Sequence, residues 1–114
     1  MPPIPQTSQA LLALSTCPNL EVARSLADAL VERRLAACVN IVPGVESVYR
    51  WQGKIAHDRE LLLVIKTQSK TLDALRQCLR ELHPYEVPEL ITFTISDGLE
   101  EYLNWITTSM EGSS

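Results

Sequence analysis

Leu82-His83-Pro84-Tyr85-Glu86-Val87-Pro88-Glu89-Leu90-Ile91 is the stretch that decides how this chain folds. It joins a helical pattern to a strand pattern. A proline pushes the residue before it into extended conformations, so Pro84 ends a helix near His83. Pro88 stiffens the entry to the next apolar run. Between the prolines and at their edges stand an imidazole, a phenol and two carboxylates on a connector with few soft dihedrals. Holding such groups in place costs little entropy, which suits a site.

Upstream, Ser69 to Leu82 carries Leu72, Leu75, Leu79 and Leu82 at helical spacing, a buried stripe. Downstream, Glu89 to Ile95 has strand character, broken by Asp97-Gly98. Leu99, Tyr102, Leu103 and Ile106 then suggest a short closing helix with Tyr102 and Trp105 as packing residues. Earlier in the chain, Glu60 to Lys66 is a nearly continuous apolar run, the pattern of a strand covered on both faces or at an interface. Cys38 to Arg50 is rich in β-branched residues and interrupted at Pro43-Gly44, which predicts a long strand with a bulge. Gln52-Gly53 predicts a turn, and His57-Asp58 a solvated loop. Asn19 is placed to cap a helix running to about Arg34, with Ala23, Leu26, Ala27, Leu30 and Val31 on one face. Ala10 to Ser15 begins the series as a short buried strand.

The order is strand, helix, strand, strand, helix, strand and a last helix. It predicts an α+β, ferredoxin-like sandwich (βαββαβ plus a C-terminal helix) with a four-stranded antiparallel sheet. One domain is expected over 10–110, with a flexible tail at 1–9 and a flexible C-terminus at 111–114. In such a sheet the second strand lies outside. Val39, Ile41, Val42, Val45 and Val48 make it a long apolar edge guarded only by Pro43, which invites pairing with another copy.

Composition narrows the function. The chain has 114 residues, 46% hydrophobic, enough for one core. No apolar run approaches the roughly 18 residues of a transmembrane helix, and the N-terminus lacks a signal-peptide pattern, so the expected location is the cytoplasm, with no membrane partner. Net charge is −4, and the 10 basic residues form no cluster, which argues against nucleic acid. Cys17, Cys38 and Cys78 are an odd count at wide spacing, without a disulfide framework.

Arg34-Leu35-Ala36-Ala37-Cys38-Val39-Asn40-Ile41-Val42-Pro43-Gly44-Val45-Glu46-Ser47-Val48-Tyr49-Arg50-Trp51-Gln52-Gly53-Lys54-Ile55 is a second telling stretch. With the first, with Glu60 to Thr67 and with Gly98 to Ile106, it resembles the CutA family of divalent-cation tolerance proteins. The resemblance covers about Leu11 to Ile106. It implies a homotrimer whose second and third strands reach into neighbouring subunits. It also implies a protein of metal tolerance or response rather than an enzyme.

His83 is the first candidate for chemistry. Imidazole is a good ligand for copper, zinc or nickel. It is equally a common residue at a helix C-terminus, bonding the last carbonyls. The resemblance implies copper binding by a cysteine of the first strand and a histidine pair before Pro-Tyr. Here His83 matches the second histidine, Leu82 stands for the first, and Ser15 stands for the cysteine. Cys17 lies two residues on, on the same strand face as Ser15, and is the nearest thiol that substitutes. Cys78 beside the leucine stripe is expected in the core; Cys38 begins an edge strand.

Trp51, Glu60, Lys66, Tyr85 and Glu89 match positions that lie near an inter-subunit cleft in CutA-like proteins. They make either a ligand site or a structural set in which Glu60 or Glu89 neutralises Lys66. No nucleophile is paired with an orienting base. The runner-up function is a small-molecule signalling trimer similar to the PII proteins, an analogy of fold. A hydrolase of the acylphosphatase kind needs a cationic cradle at the first helix, and Thr16-Cys17-Pro18-Asn19 lacks one.

Overall fold

The computed structural model describes residues 8–111; the rest of the two expected tails, 1–7 and 112–114, lies outside the described residues. The elements are β1 (Ala10–Cys17), α1 (Leu20–Glu32), β2 (Cys38–Trp51), β3 (Lys54–Gln68), α2 (Leu72–Leu82), β4 (Ile91–Thr94) and α3 (Glu100–Met110), with a 3-10 turn at Ser69–Thr71 before α2. The four strands form one antiparallel sheet in the order β2-β3-β1-β4. This is the expected ferredoxin-like sandwich, with β2 at an edge. Ser8 and Gln9, expected in the tail, are already tied down: Ser69 N–H donates to Gln9 O at 2.8 Å, and Lys70 N–H to Ser8 Oγ at 3.2 Å.

Alternation sorts the sheet into two faces. Ala13 and Cys17 of β1 and Leu63 and Ile65 of β3 face the helices and are fully buried. Ala23, Leu26 and Leu30 of α1 and Leu75, Cys78 and Leu79 of α2 close over them to make the main core. Asn19 caps α1 as expected, its Oδ1 accepting the Val22 N–H at 2.8 Å. Val31 is 44% exposed, at the rim of the helix's apolar face rather than in the core. The α2 stripe is narrower than its leucines suggest. Leu82 is 40% exposed, and Cys78 takes its place in the core. The helix ends just where Pro84 requires, and Leu82 at its end stands clear of the core that holds Leu79.

Ile106 and Met110 of α3 form a second, smaller cluster with Ala37. Tyr102 and Trp105 do not bury there. Their rings stack at 5.6 Å and remain 43% and 44% exposed. On the sheet's other face, Leu12, Leu14, Leu62, Val64, Ile91 and Phe93 share one side by register. Ile91 and Phe93 are 48% and 50% exposed there.

The largest departure from expectation is the length of β3. It starts at Lys54, so His57-Asp58 is strand, paired with Val48 and Ser47, and not a loop. The cause is the Gln52-Gly53 turn. Both residues take left-handed backbone, φ 49° and 79°, the pattern of a tight two-residue hairpin whose twist matches the strands. The bulge expected at Pro43-Gly44 is present, as a register shift between Val42 and Val45. β1 pairs only with Leu61–Gln68, so Lys54–Glu60 and Val45–Trp51 project as a two-stranded arm. Its seven residues per strand add about 20 Å, and the molecule measures 57 × 27 × 27 Å.

Candidate functional site

A cleft of about 780 Å³ opens where the arm leaves the sheet. The arm supplies Ser47, Val48, Tyr49, Trp51, Asp58 and Glu60; the end of β1 supplies Thr16; the connector after α2 supplies Tyr85, Glu86, Val87 and Glu89. Antiparallel pairing puts Ser47 opposite Asp58 and Val45 opposite Glu60, so alternate residues of both arm strands face the cleft. Four of the lining residues are carboxylates, and none is Lys or Arg.

Two tyrosine–carboxylate pairs order the cleft. Glu60, only 9% exposed, accepts the Tyr85 hydroxyl at 2.7 Å through Oε2. Burial, and then this bond to Glu60, push the Tyr85 phenol well above its ordinary range. Tyr49 donates its hydroxyl to Asp58, which raises the Tyr49 phenol too. Ser15 Oγ donates to the Glu89 carbonyl at 2.7 Å and holds the connector against β1. Trp51 stands at the rim, 63% exposed.

His83 caps α2 and lies behind the cleft wall, 6% exposed. Its ring is 4.7 Å from that of Tyr85. Nε2 is 2.8 Å from the Thr16 carbonyl, which only accepts, so Nε2 carries the proton. Nδ1 is 3.1 Å from the Tyr85 N–H, which only donates, so Nδ1 carries the lone pair. The two neighbours together fix a neutral ring in one tautomer.

Cys17 is fully buried, and its Sγ lies 3.9 Å from Asn19 O and 3.8 Å from Leu61 O. Burial, and secondarily the Glu60 charge, push its thiol up, which favours the protonated form. Metal ligation asks the opposite of both residues, a free imidazole lone pair and a thiolate. As they stand, His83 and Cys17 are engaged in structure. Among the described residues, no three His, Cys, Asp or Glu side chains converge to hold a metal ion.

Of the five residues expected at an inter-subunit cleft, Trp51, Glu60, Tyr85 and Glu89 line this cleft within one chain. Lys66 is elsewhere. It lies six positions from Glu60 along β3, about 20 Å at strand spacing, opposite Cys38 and Leu12. No ion pair joins Lys66 to Glu60 or Glu89. Ser47, Tyr49, Asp58 and Glu86 were not expected at the cleft. Counting back by twos from a Gln52-Gly53 hairpin would have placed the first three on the Glu60 face.

The CutA1 divalent ion tolerance protein family profile matches residues 11–109. The divalent-cation tolerance protein CutA of Thermus thermophilus is 53% identical over 95 residues, 83% of this chain and 92% of that one. Protein CutA of Homo sapiens is 48% identical over 102 residues, 90% of this chain and 57% of the human protein. Among solved structures, CutA1 from Oryza sativa superposes with a TM-score of 0.89 at 45% identity, covering 94% of this chain and 98% of that one. The solved Thermus thermophilus protein superposes with a TM-score of 0.83 at 52% identity, covering 85% of this chain and 94% of that one. With a match along nearly its whole length and a shared fold, the chain belongs to the CutA1 family of divalent ion tolerance proteins.

Proposed function

We propose that the protein acts in the cytoplasm as a homotrimer that responds to divalent cations and binds copper, without catalysing a reaction. The observation that carries this is the cleft wall: four carboxylates, three aromatic rings and no basic side chain. A concave wall of one sign concentrates ions of the other. Two of its carboxylates, Asp58 and Glu60, accept from tyrosine hydroxyls rather than from a serine or cysteine nucleophile, which supports binding over catalysis.

His83 contacts Thr16 and Tyr85, both of the cleft wall, so cations gathered there arrive beside its ring. To bind copper, Nδ1 has to release the Tyr85 N–H, and Cys17, next to Thr16, has to give up its proton. Few donors converge within one chain, so the remaining ligands come from water or another copy, and affinity is moderate.

Three features support self-association. The β2 edge is open, one sheet face presents Ile91 and Phe93 half-exposed, and the two-stranded arm pairs with no third strand of its own chain. All three cysteines are unpaired, in keeping with a reducing compartment.

Native mass spectrometry of the full chain, with and without one copper equivalent per chain, tests this. The expected result is a trimer with a fixed, saturable copper number that falls in His83→Gln and Cys17→Ser. A trimer that takes up no copper sinks the metal reading; a monomer sinks the assembly.

A second reading is favoured by the cleft's size and aromatic rim: a small organic ligand bound as in a PII-like signalling trimer. The carboxylates select an organic cation, not a polyphosphate. A melting temperature unmoved by a panel of organic amines and nucleotides would remove it.

A further inference from the structure

Two phenol–carboxylate pairs stand side by side in the cleft. Tyr49 donates to Asp58 Oδ2, and Tyr85 donates to Glu60 Oε2 at 2.7 Å. Asp58 and Glu60 are two positions apart on β3, so they share a face and lie about 7 Å apart along the strand. Each gives one oxygen to a phenol. Among the described residues, the other two oxygens, Asp58 Oδ1 and Glu60 Oε1, accept no hydrogen bond, and neither carboxylate has an ion pair.

For Glu60 this arrangement is costly. The residue is 9% exposed, and a buried carboxylate is stable when a counter-charge meets it. The phenols do not supply one. Both are pushed above their ordinary range, so they stay neutral and go on donating. No Lys or Arg lines the cleft. A single metal ion fits the two pairs poorly, because its oxygen ligands crowd to about 2–2.6 Å from it, whereas these carboxylates are kept apart by strand spacing and by their tyrosines. Two separate positive charges fit better. The same cleft is lined by Trp51, Val48 and Val87. Aliphatic side chains cover methylene groups, and an indole face attracts an ammonium group.

We propose that the cleft binds a short aliphatic diamine, free or as the end of a longer polyamine, with one ammonium group on Asp58 Oδ1, the other on Glu60 Oε1, and the methylene chain against Trp51. This rests on the organic-cation reading of the cleft given above and names its ligand class. A four-carbon diamine holds its ammonium groups about as far apart as two same-face residues of a strand. Each ammonium group donates to an oxygen that its tyrosine leaves open, so neither phenol bond has to break.

The test is calorimetric titration of the full chain at low salt with 1,4-diaminobutane and with 1-aminobutane, which keeps the four carbons and loses one charge. The diamine should bind about tenfold more tightly, the scale of one further hydrogen bond between charged groups. Asp58→Asn keeps an acceptor for Tyr49 and removes the charge. It should abolish the diamine's advantage and change 1-aminobutane binding less than twofold. Equal binding of the two amines to the wild type overturns the two-point site and leaves the organic-cation reading standing. A diamine advantage that survives in Asp58→Asn also overturns it, as general attraction to an acidic surface. Absence of binding by either amine to the folded wild type overturns both.

Discussion

Replacing His83 by alanine should destabilise the protein by about 3 kcal/mol. The ring is 6% exposed and ties two segments far apart in sequence, the end of β1 and the connector after α2. Its Nε2–H bond to Thr16 O and its Nδ1 bond from Tyr85 N–H are between neutral groups, worth about 1 kcal/mol net each. The Tyr85 N–H bond is part-buried, so water recovers some of its loss and the two bonds together come to about 1.5 kcal/mol. Removing the ring from its contact with Tyr85 and the core adds about 1.5 kcal/mol of lost burial. Urea unfolding followed by circular dichroism, at one protein concentration, measures this as a midpoint shift at constant m. His83→Phe separates the contributions, because it keeps the burial and loses only the bonds. It should cost about half as much. An alanine variant within 1 kcal/mol of wild type would refute the view of His83 as a structural tie. A phenylalanine variant as unstable as the alanine one would assign the whole effect to the hydrogen bonds.

Asn19→Ala removes the α1 cap at Val22 N–H and should cost about 1 kcal/mol; a neutral result in the same unfolding assay would mean that water caps the helix equally well. The Cys17 thiol is pushed up in the folded state, so the unfolded chain loses this proton first as pH rises. That contribution is whole below the ordinary thiol range near 8.5 and is lost as pH climbs toward the folded value, with a slope of at most about 1.4 kcal/mol per pH unit. Cys17→Ser should flatten the stability profile there, and an unchanged profile refutes the assignment. Phe93→Glu places a charge on the exposed sheet face opposite Leu12 and should shift the mass seen by light scattering from trimer to monomer; an intact trimer would show that this face is not the interface.

The element order was legible because each element carries its own punctuation. Asn19 caps, Pro84 stops, Pro43-Gly44 bulges, and Gln52-Gly53 turns. What escaped was the reach of β3. His57-Asp58 is polar and alone reads as loop. It is strand because the hairpin turn forces pairing with Ser47 and Val48, a long-range constraint invisible to local propensity. The same blindness hid Tyr49 and Asp58 from the site. Lys66 shares a sheet face with Glu60, but distance along a strand grows by about 3.3 Å per residue, so the two do not meet within one chain. The leucine stripe of α2 overreached at Leu82 because spacing gives direction, not how far the covering sheet extends. His83 was visible as an imidazole by a helix end. Its tautomer was not, since that depends on Thr16, 67 positions away.

The arm sets how often the cleft exists at all. Two strands without a third neighbour hold together weakly. Opening of Val45–Trp51 from Lys54–Glu60 is therefore expected to need far less free energy than unfolding of the core beneath Leu63 and Ile65. When the arm opens, Tyr49, Trp51 and Asp58 leave together, while Tyr85 and Glu89 stay on the body. Occupancy of the cleft is thus governed by a local equilibrium distinct from global stability. A ligand that spans both walls is measured against the cost of holding the arm shut. Substitutions at the hairpin tip, remote from every ligand contact, can then tune affinity without altering the melting point of the core.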